Sequence, residues 1–327
     1  MILAGDIGGT NTRLAFVEER DGHLIPLVET TFPSREHASL EAVLRKFLAA
    51  NPDPISSAAF GIAGPVRNGR CDATNIPWVV DAALLAKGLG LDQTGLINDL
   101  EANAWGLGAL EPTDFAVLNT GAPDARGNAA IISAGTGLGQ AGLYWDGRLH
   151  RPFASEGGHG DFAPRNELEI ELLRYLLKQH QRVSTERVVS GPGLLNVYRF
   201  LRDTGRGEEP AWLAERMRQQ DPSAVISQAA LRRESALCEQ ALDLLVTLYG
   251  AEAGNLALKM MATGGVYLGG GIAPKILPKL QDPIFLNAFT AKGRLKPLMQ
   301  AMPVRVILND QTALLGAARY AAHCASA

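Results

Sequence analysis

Twice along this chain an apolar run stops in a short glycine turn and a second apolar run follows at once, which is how a tight strand pair reads in sequence. The first copy is Ile2 to Ile7, the turn Gly8-Gly9-Thr10-Asn11, then Thr12 to Val17. The second is Ala129 to Ala134, the turn Gly135-Thr136-Gly137-Leu138-Gly139, then Gln140 to Trp145. Each is followed by an Asp-Gly turn signal, with Gly22 lying 13 residues beyond Gly9 and Gly147 lying 12 beyond Gly135. By itself this echo is within the reach of chance.

The segments around the first copy predict a βββαβαβ unit. Leu24-Ile25-Pro26-Leu27-Val28 reads as a third antiparallel strand, and Pro26, which has no N–H for a ladder, places it at a sheet edge or a bulge. From Ser39, the apolar positions Leu40, Val43, Leu44, Phe47 and Leu48 follow helical spacing up to Asn51-Pro52. Ser56 to Ile62 reads as a strand, Asp81 to Lys87 as a helix, and Gly95 to Ile97 as a strand ending at Asn98-Asp99, ahead of a helix-compatible stretch from Glu101 to Leu110. In the second half, helices are expected over Glu167 to Gln181 and Ser227 to Met261, the latter split in two at Gly250 and Gly254. Val304 to Leu308 reads as a strand, and Asp310 as the N-cap of a last helix.

Composition removes several function classes. With 327 residues, 46% of them hydrophobic and 20% charged, the chain can bury a large core, and two domains are expected. A net charge of -3 offers no field for a polyanion or an acidic membrane surface, so no nucleic acid and no membrane partner is expected. Cys71, Cys238 and Cys324 are far apart and lack CxxC pairing, which argues against a disulfide framework or a sulfur-rich zinc site and fits a reducing cytoplasm. The start reaches the carboxylate of Asp6 too soon for a signal peptide, and no later apolar run approaches membrane length, so a soluble, cytoplasmic protein is expected.

The glycine turns carry chemistry. Backbone can approach a phosphate closely only where no Cβ intervenes, and several N–H groups must converge there. At Asp6 and Gly8-Gly9-Thr10-Asn11 a carboxylate, bare amides and a hydroxyl meet at a strand end, which suits a magnesium nucleotide. Gly135-Thr136-Gly137 offers the same features without the acid, and Gly269-Gly270-Gly271-Ile272, after strand-like Val266-Tyr267-Leu268, would let an adenine or ribose lie flat on main chain. Neither GxxxxGK(S/T) nor a GxGxxG leading into a helix is present, which disfavours the P-loop and Rossmann routes to phosphate.

A second constellation is polar. Asp99 reads locally as an N-cap, with a general base as the functional alternative. Ser155-Glu156-Gly157-Gly158-His159-Gly160-Asp161 is too glycine-rich for a regular helix and reads as a binding loop. Glu156, His159 and Asp161 do not form an HExxH helix, so a metal there is disfavoured, and Asp161 fits a solvated surface charge. Glu186, after Ser184-Thr185, could simply be a first-turn acid. Acids, an amide and an imidazole without a cationic cluster match a neutral polyhydroxyl ligand, since each sugar hydroxyl both donates and accepts. Phosphate loops beside a polyol site imply phosphoryl transfer from a nucleotide to a sugar hydroxyl.

Taken in order, Asp6 to Asn11, Ile97-Asn98-Asp99, Ser133 to Gly139, Ser155 to His159 and Gly269 to Ile272 resemble the bacterial ATP-dependent glucokinase family over nearly the whole chain. The resemblance implies an α/β fold of the actin-like ATPase (ribonuclease H-like) class, with duplicated βββαβα domains around a central cleft that closes over the sugar. It implies a smaller domain of residues 1–109 plus 300–327 and a larger one of 110–299. It implies Asp99 as the base for the 6-hydroxyl of D-glucose, and Asn98, Glu156, His159 and Glu186 as ligands of the other hydroxyls. ATP would lie on Asp6, Ile7, Gly8, Gly9, Thr10 and Asn11, on Gly135, Thr136 and Gly137, and on Gly269, Gly270 and Gly271, with Asp6 near Mg²⁺ through water. A homodimer is also implied.

Three rivals remain at this stage. A kinase for another hexose, such as mannose, fructose or an N-acetylated amino sugar, would share these features. A sugar-sensing regulator would need a DNA-reading module, yet the first glycine turn comes within a few residues of Met1. An ATPase with a protein partner would not need the polyol cluster. The related family of sugar kinases and repressors with a cysteine-rich zinc motif is disfavoured, since no cysteine lies between Cys71 and Cys238.

Overall fold

The computed structural model describes residues 1–73 and 75–325. Their contacts divide the chain into two compact units, the first formed by Met1–Asp114, Arg151–Ala154 and the chain from Asn309 onward, the second by Phe115–His150 and Ser155–Leu308. Among the described residues no helix is long and apolar enough to cross a membrane.

In the first unit the chain forms β1 (Ile2–Ile7), β2 (Asn11–Arg20), β3 (His23–Pro33), α1 (Leu40–Ala50), β4 (Ser57–Ile62), a short hairpin β5 (Arg70–Asp72) and β6 (Val79–Asp81), α2 (Ala82–Leu89), β7 (Gly95–Asn98) and α3 (Asp99–Gly106). One five-stranded sheet runs β3-β2-β1-β4-β7. β1 pairs antiparallel to β2 and parallel to β4, and β4 is parallel to β7. Pro26 lies on the edge strand beside a bulge, where the register jumps from Phe16–Val28 to Val17–Pro26. The hairpin β5–β6 is an addition to the sequence reading; its strands are three residues each, too short for periodicity to register.

Leu3, Ile7, Leu14, Phe16 and Phe60 from the strands meet Leu40, Val43 and Phe47 of α1 on one face of this sheet. Ser39 caps α1 by accepting from Ala42 N–H. On the other face Ile2, Ala4, Ala15 and Val17 pack on the C-terminal helix Thr312–Ala325 through Leu314, Ala317, Ala318 and Ala321. That helix approaches α3 backbone to backbone, because a Cβ at Gly316 would fall on the Ala102 carbonyl and one at Gly106 on the Thr312 carbonyl. Asp310 does not cap it: its carboxylate pairs with Arg13 at 3.0 Å, and the Asn309 side chain takes the Gln311 N–H instead.

The second unit contains β8 (Phe115–Asn119), β9 (Ala129–Ala134), β10 (Leu138–Trp145), α4 (Glu167–Leu177), α5 (Gly191–Asp203), α6 (Ala211–Gln219), α7 (Pro222–Leu231), α8 (Ala236–Met260), β12 (Gly265–Gly269), α9 (Leu277–Leu280), α10 (Pro283–Thr290), α11 (Lys296–Gln300) and β13 (Val304–Ile307); β11 is the strand His150–Ser155. Its strands run β10-β9-β12-β13-β8. β9 is antiparallel to β10 and parallel to β12, and β12 is parallel to β13, the same pairing pattern as in the first sheet.

Two further expectations change here. α8 is one unbroken helix of 25 residues, and the division falls earlier, where Arg233 turns to a positive φ of 57° and Ser235 caps the new helix. Gly250 and Gly254 stay helical because α10 crosses there: a Cβ at Gly250 would strike the Phe285 carbonyl, and one at Gly254 would lie 2.5 Å from the Phe289 carbonyl oxygen. α4 ends at Leu177, short of Gln181, because Phe162 N–H donates to the Val183 carbonyl at 3.0 Å and draws the chain back.

Candidate active site

In the first unit the candidate residues collect at one end of one sheet. Ile7 of β1 pairs with Ile62 of β4, and Ile62 with Asn98 of β7, so three neighbouring parallel strands end level. The Gly8-Gly9-Thr10-Asn11 turn leaves the first and Asn98-Asp99 the third, beyond the carboxyl ends where ligands of such sheets bind. The turn is closed by Gly8 N–H to the Asn11 carbonyl at 2.9 Å. Gly9 must be glycine, because a Cβ there would lie 2.5 Å from Asn75 Cβ.

Asp6 is half-buried one residue inside β1. Loss of solvent pushes its carboxyl up to about 6, with the Arg13 guanidinium, its cross-strand partner, pulling the other way. Such an under-solvated carboxylate beside bare amides suits a hydrated divalent cation, which brings both positive charge and water.

Asn98, not Asp99, is the cap of α3. Its Oδ1 accepts from Leu100 N–H at 2.9 Å and Glu101 N–H at 3.4 Å, while its Nδ2 donates to the Gly64 carbonyl at 3.1 Å. One amide hydrogen remains for a ligand. Asp99 is the first helical residue, half-buried, with Oδ1 3.0 Å from Leu100 N.

In the second unit the turn Gly135-Thr136-Gly137 leaves β9, and Gly269 at the end of β12 pairs with Ser133 of β9, so this turn and Gly269-Gly270-Gly271 lie side by side. Gly270 has a φ of 77°, and a Cβ there would strike the Ala134 carbonyl. Gly135 N–H donates to the Gly137 carbonyl at 2.9 Å and Gly191 N–H to the Gly135 carbonyl at 2.8 Å, fixing the turn from both sides.

The polyol residues of this unit sit on two segments stitched together. Glu156 lies ahead of a single 3₁₀ turn, Gly157–His159, with Glu156 Oε2 3.9 Å from His159 Nε2 and both side chains exposed. Thr185 N–H donates to the Gly160 carbonyl at 2.9 Å, bringing Glu186 alongside, and Glu186 Oε2 accepts from Leu138 N–H at 2.9 Å. Gly158 abuts the Leu138 carbonyl so closely that no Cβ fits. Thus Glu156, His159, Glu186 and the turn at Gly137 form one cluster. Asp161 faces Arg182 at 2.9 Å, and among the described residues no group of three or more His, Cys, Asp or Glu side chains is placed to hold a metal.

Three supporting residues went unnoticed in the sequence. Asn75 fills the space beside Gly9 and Gln140 the space beside Gly157. Ser34 O–H donates to the Gly8 carbonyl at 2.7 Å. Each is far in sequence from the glycine it supports, and only the folded chain brings the two together.

Solved structures of distant relatives share this architecture. A ROK-family glucokinase from Streptomyces griseus, solved with glucose and AMPPNP, aligns with a TM-score of 0.65 over 98% of this chain and 99% of its own at 21% identity, a likeness of fold. A glucokinase from an Antarctic psychrotroph aligns with a TM-score of 0.86 at 30% identity over 98% of both chains. The glucokinase family model matches residues 3–324. A glucokinase of a Nostoc species is 46% identical over 98% of this chain and 99% of its own, and one of Tolumonas auensis 36% identical over 98% and 96%. The chain belongs to the glucokinase family.

Proposed function

We propose that this chain is an ATP-dependent glucokinase that transfers the γ-phosphoryl of ATP to the 6-hydroxyl of D-glucose, giving glucose 6-phosphate and ADP. The observation that carries it is the cluster in which Glu186 touches the Gly135–Gly137 turn beside Glu156 and His159, an acid-and-imidazole set for hydroxyls built onto a phosphate-type loop.

Asp99 takes the proton of the 6-hydroxyl as its oxygen attacks the γ-phosphorus, and the bond to the β-γ bridging oxygen breaks in line. Asn98, Glu156, His159 and Glu186 bind the remaining hydroxyls and set the angle of attack. Bare amides of the Gly8–Asn11 and Gly135–Gly137 turns, with Ile7 leading into the first, receive phosphate oxygens, and Gly269–Gly271 lie under the adenosine. Asp6 would hold Mg²⁺ through water; when bound, the ion neutralises charge on the phosphates.

The shared pairing pattern of the two sheets supports reading them as a duplicated βββαβα domain. A homodimer in the cytoplasm completes the proposal. A coupled assay of sugar 6-phosphate formation, with glucose, mannose, fructose and N-acetylglucosamine against ATP, tests it. The expected result is ATP- and Mg²⁺-dependent turnover with the highest kcat/KM on glucose; turnover of ATP indifferent to sugar would refute it.

A further inference from the structure

We propose that Thr12 and Ser34 are positioning residues for the first glycine turn, forming a buried hydroxyl relay that aims the Gly9 N–H at a phosphate oxygen of the nucleotide. The inference rests on the reading of Gly8–Asn11 as a phosphate loop.

Both side chains are fully buried, at 0% exposure. Ser34 O–H donates to the Gly8 carbonyl at 2.7 Å, and Thr12 Oγ1 lies 2.9 Å from Ser34 Oγ. A serine hydroxyl has one proton, already committed to Gly8, so Thr12 is the donor of the second bond. The relay therefore runs one way, from Thr12 through Ser34 to Gly8, and each bond polarises the next. Ser34 holds the turn a second time, its N–H donating to the Thr10 carbonyl at 2.9 Å.

The consequence lies in the peptide plane. Among the described residues no peptide bond is cis. In a trans peptide the carbonyl and the following N–H point in opposite directions, so holding the Gly8 carbonyl toward Ser34 turns the Gly9 N–H away from it. Two consecutive glycines have little torsional preference of their own, and the orientation must come from outside the turn.

Thr12→Val keeps the side-chain shape and removes the first donor, Thr12→Ser keeps the donor, and Ser34→Ala removes the contact to Gly8. In steady-state kinetics Ser34→Ala is expected to raise KM for MgATP about five- to twentyfold, with Thr12→Val moving in the same direction. KM for glucose should stay within about twofold, and Thr12→Ser should match the parent. An unchanged KM for MgATP in either variant, or a parallel rise in both KM values, overturns the proposal. The loop reading is checked separately in the parent protein by the Gly9 amide resonance on adding AMPPNP. If that resonance is indifferent to bound nucleotide, the phosphate-loop assignment itself fails.

Discussion

Leu138 N–H donates to Glu186 Oε2 at 2.9 Å, and a Cβ on Gly137 would lie 2.6 Å from the same oxygen. One carboxylate oxygen of a proposed sugar ligand thus holds the proposed phosphate turn and leaves the other for a hydroxyl. Glu186→Ala should raise KM for both glucose and ATP, each by about tenfold or more, since a hydrogen bond to a charged group is worth roughly 1.5–3 kcal/mol. Glu186→Gln keeps an acceptor for Leu138 and should raise KM for glucose alone. If the alanine variant moves only glucose, the tie carries no functional weight.

Asp99 begins α3 with its backbone fixed by Asn103, whose Nδ2 donates to the Asp99 carbonyl at 2.9 Å, so its removal should not disturb Asn98. Asp99→Ala is expected to lower kcat by roughly 10²- to 10⁴-fold, the usual span for losing a general base. Glucose affinity, measured by calorimetry, should change far less. Normal turnover in this variant would remove Asp99 from the chemistry.

Asp6 sets function against stability. In the folded, metal-free protein its carboxyl holds a proton up to about pH 6, whereas the unfolded chain releases it near 3.8. Between those values the folded state binds more protons, so stability falls as pH rises through this window and stays lower above it. At about 1.4 kcal/mol per pKa unit the rise from 3.8 to about 6 is a penalty of order 3 kcal/mol at neutral pH. Asp6→Asn should therefore unfold at higher denaturant concentration than the parent at pH 7.5 in EDTA, show little difference at pH 4, and lose MgATP-dependent turnover. Equal midpoints at both pH values would show that the carboxyl is not strained.

The strand pairs around the glycine turns were legible because a residue alternation and a turn signal are local. So were α1 and its cap, since Ser39 and Asn51 bracket one apolar stripe. Asp310 was misread because Arg13, far away in sequence, claims it. Gly250 and Gly254 were misread for the same reason: a helix breaker and a packing surface for another helix look identical until the other helix is in place. Gly254→Ala separates the two meanings. Helix propensity alone predicts a gain of about 1 kcal/mol. The Phe289 carbonyl oxygen at 2.5 Å and Lys292 Cε at 2.7 Å from the new Cβ predict a loss, by overpacking of roughly 1–3 kcal/mol. A lower Tm is expected, and a higher one would mean α10 yields easily.

Gln140 links the core to the Glu156–His159 loop. It is buried, its Nε2 donates to Glu252 Oε1 at 2.8 Å, and its carbonyl oxygen occupies the place a side chain at Gly157 would need. Gln140→Leu leaves the Glu252 carboxylate with the Asn255 donor at 3.0 Å but without its buried amide partner, a loss of about 1–3 kcal/mol. The same change removes the wall behind Gly157, so KM for glucose should rise while KM for ATP holds. The two effects part in Gln140→Leu with Glu252→Leu. Removing both partners takes away the unsatisfied carboxylate oxygen while costing Asn255 Nδ2 its acceptor, so Tm should recover part of its loss, yet the loop still lacks its amide support and KM for glucose should remain high. If KM for glucose returns together with Tm, Gln140 serves stability alone, and the loop's geometry must be set by its own backbone bonds, Gly160 N–H to the Gly157 carbonyl at 2.9 Å among them.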